Sequence, residues 1–305
     1  MTAAPKGPQF GNKAGYFIFR WVIKLFGVRP AYFALRFVIA YYVLCRPRAR
    51  RAAGPYLARR FPETGRLKRL GLTYKYYYHF GMGLIDQAAM GILGLERTRI
   101  DFPEADELRA LAAEGRGLVF ITSHIGVWQQ AISTLGFMGR SVYLNIRREM
   151  HSQTMGLADF EGSGVEVHVV SPDGFLGGIP ELGQALTHGH IVAVMGDRGY
   201  GAAACQSVDF LGKPADFPLL PYHLALTTGS DLLVFLTSRL GPQHFLLRAV
   251  IRKMSPDIQA LDKAAARSLL LKWYVDALEN HLKKYPLMWY NFVDFWDKTR
   301  DEADE

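Results

Sequence analysis

Gly117-Leu-Val-Phe-Ile-Thr-Ser-His124-Ile-Gly-Val-Trp-Gln129 decides the fold of this chain. Leu118 to Thr122 is a short apolar run bounded by glycine, the pattern of an inner strand in a parallel sheet. It stops in a turn that holds one histidine, and a run suited to a helix comes next. Open α/β sheets place their chemistry just past the carboxyl ends of such strands. A histidine there can serve as a general base near neutral pH. The competing reading is a hydrogen-bonded structural histidine.

Working outward, apolar runs alternate with helical patterns from Arg116 onward, which predicts βαβ units and a mostly parallel sheet flanked by helices. The strands fall at Leu118–Thr122, Ser141–Leu144, Val165–Val170, Ile191–Met195, Leu232–Thr237 and Phe245–Ile251. Helices fall at 128–138, 151–160, 178–188 and 218–228, with a last one over Ile258–Lys284, stopped before Pro286. An earlier helical region, Leu67 to Leu95, carries the cluster Tyr74-Lys-Tyr-Tyr-Tyr78, which reads as packing between the N-terminal segment and the domain. The chain thus divides into a helical segment, 1–95, and an α/β domain, 96–305.

The charge is lopsided. Met1 to Pro62 holds 12 Lys and Arg and no acid, and the remaining residues carry 24 basic against 28 acidic groups. The whole positive excess of the chain, +8 net, therefore lies in its first fifth. That fifth also holds Gly15-Tyr-Phe-Ile-Phe-Arg-Trp-Val-Ile-Lys-Leu-Phe26 and Ala31-Tyr-Phe-Ala-Leu-Arg-Phe-Val-Ile-Ala-Tyr-Tyr-Val-Leu-Cys45. Its longest charge-free run, Phe37 to Cys45, is far short of the ~20 residues of a spanning helix. Short aromatic, cationic helices fit the headgroup layer of an anionic membrane. Ordinary N-terminal core helices with a solvated basic face are the plainer reading. Phosphate tracking on nucleic acid does not call for such apolar runs.

Other chemistries lack their signatures. Two cysteines 160 positions apart, Cys45 and Cys205, give neither a disulfide framework nor zinc spacing. His168 and His188-Gly-His190 have no cysteine or carboxylate at ligand spacing, so no metal is expected. Gly212-Lys-Pro lacks the glycines of a phosphate loop, and there is no Gly-x-Ser-x-Gly elbow. No cofactor is implied, and no cleavable signal peptide is visible.

The polar residues just past each strand are more telling. Ser123-His124 succeeds the first strand, Asn145-Ile-Arg147-Arg148 the second, Ser171-Pro-Asp173-Gly-Phe-Leu-Gly-Gly178 the third, Gly196-Asp197-Arg198 the fourth and Ser238-Arg239 the fifth. In a parallel sheet these meet along one edge as a base, several cations and a carboxylate. That set suits an anionic substrate and a developing oxyanion.

These residues resemble the lysophospholipid acyltransferase superfamily, and within it the bacterial lipid A biosynthesis (lauroyl/myristoyl) acyltransferases. Ser123-His124-Ile-Gly126-Val-Trp128-Gln129 is similar to their block of a histidine, four residues, then an acid. Phe210-Leu-Gly-Lys-Pro-Ala-Asp-Phe-Pro-Leu-Leu-Pro221 resembles the loop before their last core helix, and Pro286-Leu-Met-Trp289 their C-terminal Pro-x-x-Trp. The resemblance implies transfer of an acyl chain from acyl carrier protein or acyl-CoA to a hydroxyl or amine of a lipid, at the cytoplasmic face of a bacterial inner membrane. It implies His124 as base and Asn145, Arg147, Arg148 and Arg198 as contacts to substrate or oxyanion, beside Ser123, Gly126 and Trp128. Gly174 to Gly178 reads either as a loop over the acyl pocket or as a plain turn.

The family's acid is Gln129 here, which can orient an imidazole but supplies no charge. Three readings are open: Asp197 replaces the carboxylate from across the site, Gln129 suffices, or the protein binds a lipid or acyl carrier without reacting. The stakes are large, because in a serine protease Asp-to-Asn at the orienting position costs about 10⁴ in rate.

Overall fold

A computed structural model describes residues 13–94, 97–126, 134–146, 165–199 and 204–297, with side chains from Arg20 onward. Four helices lead the chain: α1 (Lys13–Phe26), α2 (Arg29–Cys45), α3 (Pro47–Arg60) and α4 (Arg66–Leu93). After β1 (Arg99–Asp101) and α5 (Ala105–Ala113) come β2 (Leu118–Thr122), β3 (Val142–Asn145) and β4 (Val167–Val170). Next are α6 (Ile179–Thr187), β5 (Ile191–Met195), the strands β6 (Cys205–Phe210) and β7 (Lys213–Pro218), and α7 (Leu220–Thr228). The chain closes through β8 (Asp231–Gly241), β9 (His244–Arg252), α8 (Pro256–Gln259) and α9 (Lys263–Lys284).

Seven strands form one sheet in the order β1-β9-β8-β2-β5-β3-β4. From β8 to β4 every pairing is parallel, as expected, while β9 turns back antiparallel to β8 and β1 joins parallel to β9. β2 and β5 are buried along their whole length, so their runs carry no polar face. The two-residue period sends Val119, Ile121, Val192 and Val194 to one core, and Leu118, Phe120, Ile191 and Ala193 to the other. Helices α6, α7 and α9 cover the first face, and α5 lies on the second.

Helices α3 and α4 are seated in the first core through Tyr56, Leu57 and Tyr76. The tyrosine cluster does what its position suggested: the hydroxyl of Tyr77 donates to Ala49 O at 2.9 Å, that of Tyr78 to Tyr32 O at 3.2 Å, and that of Tyr76 to Trp289 O. A smaller cluster joins Ile23, Val28, Ala31 and Tyr32 to Met82, Ile85 and Ala89, holding α1 and α2 on α4. Beneath it lies a buried charge pair, in which Arg239 Nε donates to Asp86 Oδ2 at 2.6 Å and the Tyr32 hydroxyl donates to Asp86 Oδ1.

Of the helices expected at 128–138 and 151–160, the second and the start of the first lie outside the described residues, and Thr134–Met138 is a 3-10 turn. Three further segments differ from expectation. The stretch read as a loop, Phe210 to Pro221, is instead the turn and second strand of the β6–β7 hairpin, followed by the first turn of α7. Its turn is Leu211-Gly212, both at positive φ (51° and 77°), the conformation a two-residue hairpin demands. The last helix is two: Asp262 accepts from Ala264 N at 2.9 Å and Ala265 N at 3.4 Å, a side-chain cap that starts α9 afresh after α8. The fifth expected strand, β8, continues to Gly241, which removes Ser238 and Arg239 from the strand-end set. Ser238 is buried against His281 Nε2 at 3.0 Å, and Arg239 pairs with Asp86.

Candidate active site

The register of β2 and β5 builds the site. Thr122 lies opposite Met195, and Gly196 N donates to Thr122 O at 2.8 Å as the strands end. Two residues further on, the same register brings His124 beside Asp197. His124 Nδ1 and Asp197 Oδ1 are 2.9 Å apart, and the backbone N–H of His124 donates to Asp197 Oδ2 at 2.8 Å. Gly196 permits this step, because a Cβ there would meet Ile121 Cγ2 at 2.3 Å and the Tyr274 hydroxyl at 2.7 Å.

Asp197 is wholly buried, and the imidazole of His124 is 16% exposed. Burial alone would raise the Asp197 carboxyl. The charge of His124 and the hydrogen bonds from His124 and Trp289 outweigh it, holding the group below its ordinary 3.8. With Nδ1–H committed to a carboxylate, the imidazole carries its lone pair on Nε2, the atom a general base uses. The geometry bears on the first of the three readings of Gln129: the carboxylate of Asp197, two residues past β5, lies 2.9 Å from the imidazole.

A third segment completes the arrangement. Residues 288–290 run antiparallel to 124–126, with Gly126 N donating to Met288 O at 2.8 Å and Tyr290 N to His124 O at 2.7 Å. This strap places Trp289, whose indole N–H donates to Asp197 Oδ2 at 2.7 Å. Trp289 was not among the expected site residues. The Pro286-Leu-Met-Trp289 string carried a signal, but nothing in its spacing tells that it lies against the histidine turn. Gly126 sits at φ +60°, and a Cβ there would lie 2.1 Å from Thr237 Oγ1, so glycine is required on both counts.

Beside this pair, at the carboxyl ends of β3 and β5, lies a cavity of about 520 Å³. Met195 and Arg198, the residues flanking Gly196-Asp197, are in its wall with Asn145, Leu219 and Arg267; His124 itself is not. Asn145 is nearly buried, and its amide donates to Val170 O and Gly177 O, both at 3.3 Å. It thereby pins the glycine loop, in which Leu176, Gly177 and Gly178 all have positive φ and Leu176 and Gly177 line the cavity. Arg198 donates from Nη2 to Asn291 Oδ1 at 3.2 Å, and has no carboxylate partner among the described residues.

The remaining expected residues divide. Ser123 is buried behind the pair, beside the Tyr274 hydroxyl, and does not face the cavity. Trp128, Gln129, Arg147 and Arg148 lie outside the described residues. No group of three metal-ligating side chains occurs among the described residues.

A family model described as bacterial lipid A biosynthesis acyltransferase matches residues 10–291. The match spans most of the chain, and the chain belongs to that family. No curated protein matches the sequence.

Proposed function

Starting from a family that transfers acyl chains to a lipid precursor, we propose that His124 is the general base of this transfer and that Asp197 orients it. The donor is a thioester, on acyl carrier protein or coenzyme A, and the acceptor is a hydroxyl or amine of a membrane lipid or lipid precursor. The 2.9 Å contact between His124 Nδ1 and the buried Asp197 carries the reading.

The chemistry builds on that contact. His124 Nε2 takes the proton of the acceptor as its oxygen or nitrogen attacks the thioester carbonyl carbon. Asp197, held as an anion, stabilises the imidazolium without taking its proton. The tetrahedral oxyanion needs donors. The N–H groups of His124 and Gly126 are already given to Asp197 and Met288, so they do not serve. Arg198, at the cavity wall beside Asp197, supplies the cation. Collapse expels the thiolate, which recovers the proton from the imidazolium. The apolar part of the cavity receives the acyl chain. Arg147 and Arg148 are further candidates for the donor's phosphates.

The N-terminal region, 1–95, attaches the acyltransferase domain, 96–305, to an anionic membrane at the cytoplasmic face of the inner membrane. Trp21, Phe26, Phe33, Phe37 and Leu44 on α1 and α2 are each about half exposed or more, beside the exposed cations Lys24, Arg29 and Arg36. No helix among the described residues is long and apolar enough to cross a membrane. Shallow insertion of this face accounts for both the exposure and the charge.

Purified protein, offered radiolabelled acyl-carrier-protein and acyl-CoA thioesters with a panel of lipid acceptors in anionic vesicles, tests the reading. An acylated lipid that forms with the wild type and not with His124→Ala is expected. Absence of any His124-dependent product would leave a non-catalytic lipid or carrier binder on the same fold.

A further inference from the structure

Trp289 has a place in the site that packing does not explain. We propose that Trp289 is a positioning residue for acyl transfer: its indole N–H fixes the Asp197 carboxylate so that Oδ1 alone faces the imidazole of His124. This rests on the acyltransferase reading above.

Three donors fill the buried carboxylate. Among the described residues, Oδ2 receives the His124 backbone N–H at 2.8 Å and the Trp289 indole at 2.7 Å, while Oδ1 receives only His124 Nδ1 at 2.9 Å. Neither donor to Oδ2 titrates, so the carboxylate keeps its plane and its charge whether His124 is neutral or protonated. A wholly buried carboxylate without such donors would be costly to keep ionised. It would also be free to turn its second oxygen towards the ring.

The indole is itself held from several sides. Ile125 and Trp289 form an antiparallel bridge, and the Tyr76 hydroxyl donates to Trp289 O. Tyr56, Phe210 and Phe295 pack edge-on against the Trp289 ring at centroid distances of 5.1, 5.2 and 5.2 Å. Trp296, a few residues on, gives the contrast: its N–H ends on a backbone carbonyl, Phe210 O, at 3.2 Å, as in an ordinary core tryptophan. Trp289 ends on the one carboxylate that touches His124 among the described residues. The C-terminal strap is therefore part of the reactive arrangement, and the helices α3 and α4, through Tyr56 and Tyr76, hold it in place.

Trp289→Phe keeps most of the ring contacts and removes the N–H. The expected result is a loss of about 10- to 100-fold in kcat with KM changed less than about threefold, by analogy with the loss when the hydrogen-bond partner of a metal-bound histidine is removed. In an Asp197→Asn background the same substitution is expected to change kcat less than about threefold, because the residue acts through Asp197. Equal losses in both backgrounds, or no loss in either, would mark Trp289 as core filling and overturn the proposal. Should Trp289→Phe fail to fold, benzothienylalanine at position 289, which replaces the N–H by sulfur in the same bicyclic shape, decides in its place.

A second readout does not need turnover. In nitrogen-15-histidine-labelled protein the His124 Nδ1–H resonance is expected downfield, and to shift in the variant; an unchanged resonance would overturn the proposal. Loss of all His124-dependent transfer in the wild type would instead defeat the acyltransferase reading. The resonance then still judges Trp289.

Discussion

His124 and Asp197, 73 positions apart in sequence, meet at 2.9 Å because β2 and β5 are parallel neighbours whose ends are level. The contact accounts for an oddity of the chain: the family block that begins at His124 ends in Gln129, where an acid is expected. On the function proposed above, the orienting carboxylate is that of Asp197, just past the neighbouring strand β5.

Position 129 should accordingly be unimportant to ring orientation. Gln129→Glu is expected to change kcat by less than about threefold, since His124 Nδ1 is already engaged by a carboxylate. Steady-state kinetics of the variant checks this. A gain of tenfold or more would mean that Asp197 does not serve as the orienting acid.

The pair Asp86–Arg239 ties α4 to β8 below the N-terminal helices, with Asp86 wholly buried and Arg239 11% exposed. Asp86→Ala leaves that guanidinium without its partner and is expected to cost about 3–5 kcal/mol in urea unfolding. The double variant Asp86→Leu, Arg239→Met, which removes both charges, should cost much less. A single-variant cost below about 1 kcal/mol would show that solvent reaches the pair.

Stability should fall on mild acidification, and His281 is the main reason. Burial, offset in part by its contact with Thr237 and reinforced by the charges of Arg248 and Lys284, pushes its pKa down from 6.5 to about 4. The folded protein thus keeps His281 neutral while the unfolded chain takes a proton. Stability from this group is complete above pH 6.5 and declines until the pH reaches about 4, a total of about 3 kcal/mol. Asp197 acts in the same direction in a lower window: its carboxyl is lowered, so its contribution is complete above its ordinary 3.8 and is lost as the pH falls below it. Urea midpoints of wild type and His281→Gln, measured from pH 7 to 4.5, should separate by a shrinking or reversing gap as the pH drops. Parallel curves would contradict the assignment.

Membrane attachment should depend on the exposed face of α1 and α2. Replacing Phe26, Phe33 and Phe37 together by serine, at 69, 59 and 64% exposure, should leave the fold intact and weaken binding to anionic vesicles at least about tenfold. Flotation assays read this directly. Undiminished binding would place the contact elsewhere.

Much of the fold was legible in sequence. β2 and β5 fell where their unbroken apolar runs placed them, since strands buried on both faces write themselves plainly. The helices α1 and α2 were expected from their short aromatic, cationic runs, and α4 from the tyrosine-rich stretch Leu67 to Leu95. The β6–β7 hairpin was not, because Pro214 and Pro218 argue against a strand and Leu211 gives no sign of a positive φ. Asp197 stood out as a polar residue past a buried strand, but its contact with His124 depends on strand order, which puts β5 between β2 and β3. The part played by Trp289 was hidden for a related reason: a backbone bridge across more than 160 residues leaves no spacing to read.

The most direct test of the account is the rate of acyl transfer by His124→Ala, Asp197→Asn and the two combined, in the acceptor and donor system that gives product with the wild type. Each single variant is expected to lose about 10³-fold or more in kcat, and the double variant to be no slower than the worse single, because the two side chains act as one unit. An Asp197→Asn protein that turns over at the wild-type rate would contradict it.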